Sequence, residues 1–521
     1  MKSQTFFLFL ITIVLIYPQS QQTIEWPSLA DSPWPMFRGD AQSTGRSQFT
    51  GPSEKNIVWT ADLPYGIVWG PTIGYGDKLY FGTNSINTID TLNPGNFLYA
   101  YNPDGTLFWR YNNNESGVPN WMPPLAANDS TIYFGSNSGY FYALDYFGNL
   151  KWKLAIPCFI YSSISKNGDL YITCETGDTV RIVSHSGEIK LIKYFNDIVG
   201  PISFSTDGSQ IYFRTVTQTN SDKYSNLYCT DTQFNILWDY KFGEESYGYP
   251  AIDNQDNIYV FGNDSISAGK TSLYSFNKLG EVQWKFPVRS YSNYASPTID
   301  IDGNIIFHHW DNRDGESLNV ITSINNQGEL KWEYFVEKGA DIFENASTHG
   351  LVSDAQGNVY FGSTGGTYFW ALNKKGELMW KIPLNGYEFD SSPAIGSDGT
   401  LYIATQLSIT YQSHEDNLIA VRNNPNFVEE DELPDEFYLF QNYPNPFNPT
   451  TTIKFSLPQR SEIKLTLYNM LGQKVDEIYS RVMAAGSYEY LYDANGLSSG
   501  VYIYVLESGN LRLRQKMVLL K

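Results

Sequence analysis

Residues 328–336 read GELKWEYFV and residues 376–384 read GELMWKIPL, one short segment written twice with tryptophan in the same place. Trp59, Trp109, Trp152, Trp238, Trp284, Trp332 and Trp380 each sit in such a segment, at intervals of roughly 45 residues, and Leu191 fills the one slot without an indole. The chain therefore holds eight copies of one structural unit. That period constrains the fold more than any other property of the sequence.

Each unit reads as strands. Ahead of the tryptophan segments lie β-rich runs that end in a turn, such as LYAYNPDG, FYALDYFG, LYSFNKLG and FWALNKKG. Further upstream lies a second pair, as in SPAIGSDGTLYIAT, SPTIDIDGNIIFHH, YPAIDNQDNIYVFG and GPTIGYGDKLYFGT. Asp-Gly and related turns between such runs are hairpin signals, so each unit is expected to be four antiparallel strands. A sheet this small cannot bury both faces alone, and radial packing solves the problem with only short edges left over. The expected fold is all-β: an eight-bladed β-propeller over residues 34–424.

Inner strands are expected to begin at Pro71, Pro124, Ser163, Pro201, Pro250, Pro297, Gly350 and Pro393, where a missing N–H costs little. The segment NIVWTADL at 56–63 has no strands before it, and the last unit ends at LIAVRNN without a tryptophan segment. The N-terminal segment is thus expected to supply the outer strand of the eighth blade. Recurrence in nearly every blade marks the seven tryptophans as inter-blade packing. Cys229 falls in the column that holds Ala100, Ala143 and Ala371, which marks it as a packed thiol.

Residues 1–22, MKSQTFFLFLITIVLIYPQSQQ, have a lysine, a short apolar run and a polar end, the layout of a secretory signal peptide. No cysteine stands there to carry a lipid, and no later stretch is long and apolar enough to span a membrane. A net charge of −20 disfavours nucleic acid and anionic membranes as partners. Cys158, Cys174 and Cys229 are too few, and odd in number, to form a disulfide scaffold, though Cys158 and Cys174 could bridge.

Residues 425–437 have the acidic, proline-containing composition of a linker, and 438–521 alternate as a small β-sandwich of about seven strands. Here two resemblances enter. WPMFRGDAQSTGRS at 34–47, followed by blades ending in L-x-W, resembles the pyrroloquinoline-quinone-like propeller repeats of quinone-dependent alcohol dehydrogenases and of many non-enzymatic bacterial propellers. The turns of ALDYFGNLKW and ALNKKGELMW lack that family's usual Thr, and no vicinal cysteine pair occurs, so the resemblance implies the fold rather than the enzymatic branch. The string YLFQNYPNPFNPTTTIKFSLP, then LYNMLGQKV, GLSSGVYIYVL and the terminal KMVLLK, resembles the C-terminal sorting domain of the type IX secretion system. It implies export through both membranes of a Gram-negative-type cell, recognition by the type IX machinery, and release or display at the surface.

Chemistry is sparse. The inter-blade loops carry aromatic residues, from which Trp69, Trp121, Tyr161, Tyr249, Tyr294, Tyr387 and Phe389 are the candidate ligand-binding rings. Acids lie among them, including Glu115, Glu244, Glu245, Asp341, Glu344, Glu388 and Asp390, a mixture that suits a glycan or a protein ligand. His308 and His309 are adjacent in a strand and should face opposite ways, so they cannot readily share an ion. DIDGN at 300–304 and DNRDGE at 311–316 hint at calcium but read better as turns. With no G-x-S-x-G and no motif that assigns a base, the expectation is a monomeric, non-catalytic binding protein without a cofactor. The alternative is a secreted enzyme, a quinone-dependent oxidoreductase or a polysaccharide-acting hydrolase or lyase.

Overall fold

The computed structural model describes residues 20–63, 66–67, 70–84, 97–112, 123–136, 139–156, 160–174, 177–195, 197–218, 223–243, 248–263, 271–288, 295–313, 316–336, 350–362, 368–384, 392–405, 417–424, 437–458, 461–483, 486–509 and 511–521. The chain divides into two compact units, Met1–Asn423 and Asn424–Lys521.

In the first unit the described strands form eight antiparallel sheets. The fifth is typical: Ala251–Ile252, Ile258–Asn263, Thr271–Phe276 and Val282–Val288 pair in sequence order, and the inner strand is the shortest. Inner strands start beside the expected residues, as at Thr72, Leu125, Thr298 and Ala394, but the third and fourth start earlier, at Ile160 and Ile198. In the last sheet Ala394–Ile395, Leu401–Ala404 and Leu418–Val421 are completed by Ile57–Ala61, with Trp59 opposite Ala420. The outer strand is therefore drawn from the other end of the unit, as expected.

Each outer strand that has an indole carries it opposite a small residue: Trp109 faces Ala100, Trp152 faces Ala143, Trp238 faces Cys229, Trp284 faces Ser275, Trp332 faces Ser323 and Trp380 faces Ala371. The small side chain leaves room for the ring to lean toward the next sheet, where it lies on the glycine of the hairpin joining the third and fourth strands. A Cβ added to Gly105, Gly148, Gly187, Gly280, Gly328 or Gly376 would come within 2.6–2.9 Å of Trp59, Trp109, Trp152, Trp238, Trp284 or Trp332, respectively. These glycines have φ between 79° and 86°, so both the backbone and the ring exclude a side chain. Each indole Nε1–H donates to the carbonyl two residues before the glycine: Pro103, Tyr146, His185, Lys278, Asn326 and Lys374, at 2.8–3.0 Å. Trp380 has no such hairpin ahead of it and donates to Pro52 O at 2.9 Å, just before the completing strand.

The slot without tryptophan is a coordinated exchange. Leu191 stands opposite Ile182 instead of a small residue, and the hairpin of the following sheet has Phe234, fully buried at φ 58°, where the others have glycine. Phe234 and Leu191 belong to one apolar cluster, so the phenyl ring supplies from the hairpin what the indole supplies elsewhere.

Residues 20–50 run along the ends at which the inner strands finish. Ile73, Ala126, Phe204, Ile252, Ile299 and Ser353 donate backbone N–H to the carbonyls of Trp34, Pro35, Ala41, Gln42, Thr44 and Gly45, at 2.8–3.0 Å. The third sheet is reached by side chains: Trp26 Nε1–H donates to Ile164 O and Ser28 Oγ–H to Ser165 O. Inner strands have one edge with no neighbouring strand, and this segment satisfies the groups left over. Gln21 and Gln22, which the sequence places at the end of the leader, take part. Gln21 N–H donates to Ile301 O at 2.7 Å, and Asn254 donates its N–H to Gln21 Oε1 and its side-chain amide to Gln22 O.

The suspected calcium loop at 300–304 is a turn. Asp300 Oδ1 accepts the N–H groups of Asp302 and Asn304, and Oδ2 accepts the Asn304 amide at 2.7 Å. Asp253 and Asp354 do the same in their own sheets. Burial raises all three carboxyls above the ordinary aspartate range despite these bonds. Of the second suspected loop, Asp311–Arg313 and Glu316 lie in paired strands, and 314–315 lie outside the described residues.

The second unit has two sheets. One orders Tyr438–Leu439, Thr450–Leu457 and Gly486–Asp493; the other orders Lys474–Met483, Ser461–Asn469, Gly500–Ser508 and Leu511–Leu519. Seven strands enclose a core that includes Leu439, Phe455, Leu465, Leu506 and Met517.

Two outcomes follow for stability. Phe234→Gly alone should cost about 3 kcal/mol in denaturant titrations, and adding Leu191→Trp with Ile182→Ala should restore at least half of it by rebuilding the common dock; losses that simply add would show that the two arrangements are not equivalent. Because the folded carboxyl of Asp300 binds its proton more tightly than the unfolded one, its contribution is complete below the unfolded value and is lost as pH rises through the folded one. The stability of wild type relative to Asp300→Asn should therefore grow as pH falls from 7 toward about 4, and a shrinking difference would refute the assignment.

Candidate functional site

Five of the seven candidate rings, Trp69, Trp121, Tyr294, Tyr387 and Phe389, lie outside the described residues, as do the acids named with them. Tyr161 and Tyr249 are described, and both are buried. They meet edge to face with centroids 6.0 Å apart, and Phe37 covers Tyr249 at 5.3 Å. These two rings pack against the tip of the N-terminal segment and, with Met36 and Phe37, line a small pocket.

That tip is built by WPMFRGD. Gly39 N–H donates to Met36 O, Arg38 takes a left-handed backbone conformation at φ 61°, and Gly39 lies against the Trp34 ring, where a Cβ would sit 2.8 Å from it. The reversal drives the Arg38 side chain into the interior, where it donates to Ser43 O at 3.0 Å, to Pro297 O and to Thr298 Oγ1. Burial pulls the Arg38 guanidinium down to about 10, against the opposing pull of Asp40 and Tyr249. A cation held by a carbonyl of its own segment and one beside the sixth sheet's inner strand ties the two together.

Outside the tip, the same segment forms a recess of about 640 Å³. Asp40, Gln42 and Arg46 line it together with Glu25, Asp31, Gln48, Tyr75 and Asn128. Asp40 accepts the backbone N–H of Thr44 at 2.9 Å and its hydroxyl as well. Burial raises the Asp40 carboxyl, with Arg46 and Thr44 acting against the rise. Arg46 donates to Gln22 O at 3.2 Å and Asp300 O at 3.5 Å, and burial lowers its guanidinium. A recess of this size with convergent polar groups and displaced pKa values has the physical character of a small-ligand site. Reading the sequence alone treats these residues only as a family mark. Their spacing carries no catalytic or metal pattern, and only the fold brings Tyr75 and Asn128 beside them.

Among the described residues, His308, His309, Cys174 and Cys229 make internal contacts. His308 lies near Asn319 Oδ1 and the ring of Trp310, while His309 meets Thr322 Oγ1 at 2.9 Å and the ring of Phe307, so the pair face opposite ways as expected. Cys229 is a buried free thiol pushed up to about 12 by burial. Cys174 is disulfide-bonded, and Cys158 lies outside the described residues. Among the described residues no group of three or more His, Cys, Asp or Glu is placed to hold a metal ion, and no helix is long and apolar enough to cross a membrane.

In the second unit the run NYPNPFNPT clamps the last strand. Asn445 Oδ1 accepts Val518 N–H at 2.8 Å, while Phe447 N–H donates to Val518 O and Leu520 N–H to Phe447 O. Asn442 N–H donates to the hydroxyl of Tyr504, which donates to Phe440 O at 2.7 Å. The proline-rich run and the terminal KMVLLK therefore occur together because one holds the other.

A family profile described as outer membrane protein assembly factor BamB matches residues 199–423, and one described as secretion system C-terminal sorting domain matches residues 441–520. No curated protein sequence matches the chain. Among solved structures, BamB from Moraxella catarrhalis is similar at 14% identity and a TM-score of 0.47, over 72% of this chain and 99% of that one. Virginiamycin B lyase from Staphylococcus aureus is similar at 13% identity and a TM-score of 0.40, over 70% of this chain and 96% of that one. PorZ, a surface component of the type IX secretion system of Porphyromonas gingivalis, is similar at 14% identity and a TM-score of 0.37, over 91% of this chain and 60% of that one. The tail marks proteins that the type IX system exports to the cell surface or medium. The chain carries a BamB-like, PQQ-type repeat β-propeller followed by a type IX secretion sorting domain.

Proposed function

We propose that the protein is an exported, non-catalytic binding protein: a closed wheel of eight blades, carried to the surface or medium by its tail, that holds a glycan or protein ligand. The observation that supports this reading is the covering of the inner-strand ends: the carbonyls of residues 34–45 accept backbone bonds from six inner strands, at an end where a catalytic propeller could receive a substrate. Arg38, His308 and His309 are engaged in internal contacts, which supports scaffold over catalyst.

The ligand has two places to bind: the loop face, to which Trp69, Trp121, Tyr294, Tyr387 and Phe389 belong by sequence, and the recess that contains Asp40 and Arg46 at the other end. Binding at the loops should respond to Trp69→Ala and Trp121→Ala, and binding at the recess to Glu25→Gln and Asp31→Asn. A screen of the mature protein against glycan and surface-protein panels, repeated with both sets of variants, decides between them. Redox turnover with pyrroloquinoline quinone and calcium, or release of products from a polysaccharide, would replace the binding reading with the enzymatic one.

Removing residues 438–521 should strand the propeller in the periplasm, as read by fractionation and immunoblot. Undiminished protein in the medium after that deletion would contradict the route.

A further inference from the structure

The tail contains the same hairpin that receives an indole in the propeller. In Asn277–Glu281, Asn325–Glu329 and Asn373–Glu377 the first residue's N–H donates to the last carbonyl, the glycine N–H donates to the first carbonyl, and the first side chain accepts two further N–H groups and donates to the last side chain. Asn469–Gln473 repeats this network bond for bond: Asn469 N–H to Gln473 O at 3.0 Å, Gly472 N–H to Asn469 O at 2.9 Å, Asn469 Oδ1 accepting from Leu471 and Gln473, and the Asn469 amide donating to Gln473 Oε1.

The surroundings differ. Gly280, Gly328 and Gly376 each have an indole against them, and Gly303 and Gly357, in first-to-second-strand turns with the same backbone bonds, meet Gln21 and Lys374, whereas a Cβ on Gly472 would meet nothing within 4 Å. Gly168, in a hairpin of the third sheet, is equally open, but Lys166 and Asn167 precede it, and such a turn is content in water. Gly472 is instead preceded by Met470 and Leu471, 64% and 83% exposed on a turn locked by five hydrogen bonds. Holding two large apolar side chains in water on a rigid tip is unfavourable unless something covers them.

We propose that Met470, Leu471 and Gly472 form a docking site for an aromatic side chain, an indole by preference, on the protein of the export machinery that takes up this tail. The ring would lie on Gly472 with its N–H toward Met470 O, as the propeller tryptophans lie on theirs, and Met470 and Leu471 would flank it. The proposal rests on the reading of the tail as the sorting domain, and it adds which residues are read and by what chemistry.

The test is export of the full chain in a type IX-competent host. Gly472→Asn keeps the left-handed turn, which asparagine tolerates, while placing a Cβ where the ring must lie. Met470→Ser with Leu471→Ser removes the apolar flanks from exposed positions and leaves the core untouched. Both variants should melt as wild type does, and each should lower the secreted fraction at least tenfold with matching periplasmic accumulation. Leu279→Ser, at an equally exposed place on a propeller hairpin whose glycine is already covered, should not change export. Secretion of both tail variants within twofold of wild type, while deletion of 438–521 still blocks it, would overturn the dock and leave the sorting reading intact. Secretion of the deletion itself would overturn both.

Discussion

The stacking of an indole on a bare glycine of the neighbouring sheet is the contact on which the first unit depends. It needs three residues on two sheets at once: tryptophan, a small residue opposite it, and glycine in the receiving turn. A ring carrying one of these changes without the others either clashes or leaves a cavity worth several kcal/mol. The third-to-fourth sheet boundary illustrates the coupling, because Leu191, Ile182 and Phe234 depart from the pattern together. The Nε1–H bond to a carbonyl adds direction to what would otherwise be apolar contact, and so fixes the angle between sheets.

This chain of docks runs from each sheet to the next and returns through the N-terminus. Trp380 reaches Pro52, and Trp59, lying in the last sheet, reaches the Gly105 turn of the first. Residues 34–61 thus do two jobs, completing the last sheet and satisfying the inner edges of six others. Both need partners made much later in synthesis, up to Val421, so neither contact can form until the rest of the unit exists. Contacts so distant in sequence make for slow folding.

The periodic part of this architecture was legible in the sequence. Tryptophan spacing, hairpin turns and the orphan segment around Trp59 led to the eight sheets and to the strand that completes the last, and adjacent His308 and His309 do face apart. What was hidden depends on backbone atoms or on distant partners. The inner-edge bonds of residues 34–45 use main-chain carbonyls, which leave no residue signature. The Phe234 exchange is visible only once Leu191 is known to face that turn. Tyr161 and Tyr249 look like loop rings by composition, yet the fold places Phe37 over Tyr249 and buries both. The tail was legible because its clamp requires particular side chains, such as Asn445 on Val518, at particular places.

The chain's own N-terminal segment thus covers the inner-strand ends of six sheets. Sealing by the N-terminal residues is tested most directly by native-state hydrogen exchange, followed by mass spectrometry of peptides spanning 57–61, 418–421 and the inner-strand amides of Phe204, Ile252 and Ile299. If the ring is sealed, these amides exchange only with global unfolding, at the same free energy as the central strands. Exchange of 57–61 and 418–421 within seconds, while the middle sheets stay protected, would show an open array and contradict the closed wheel.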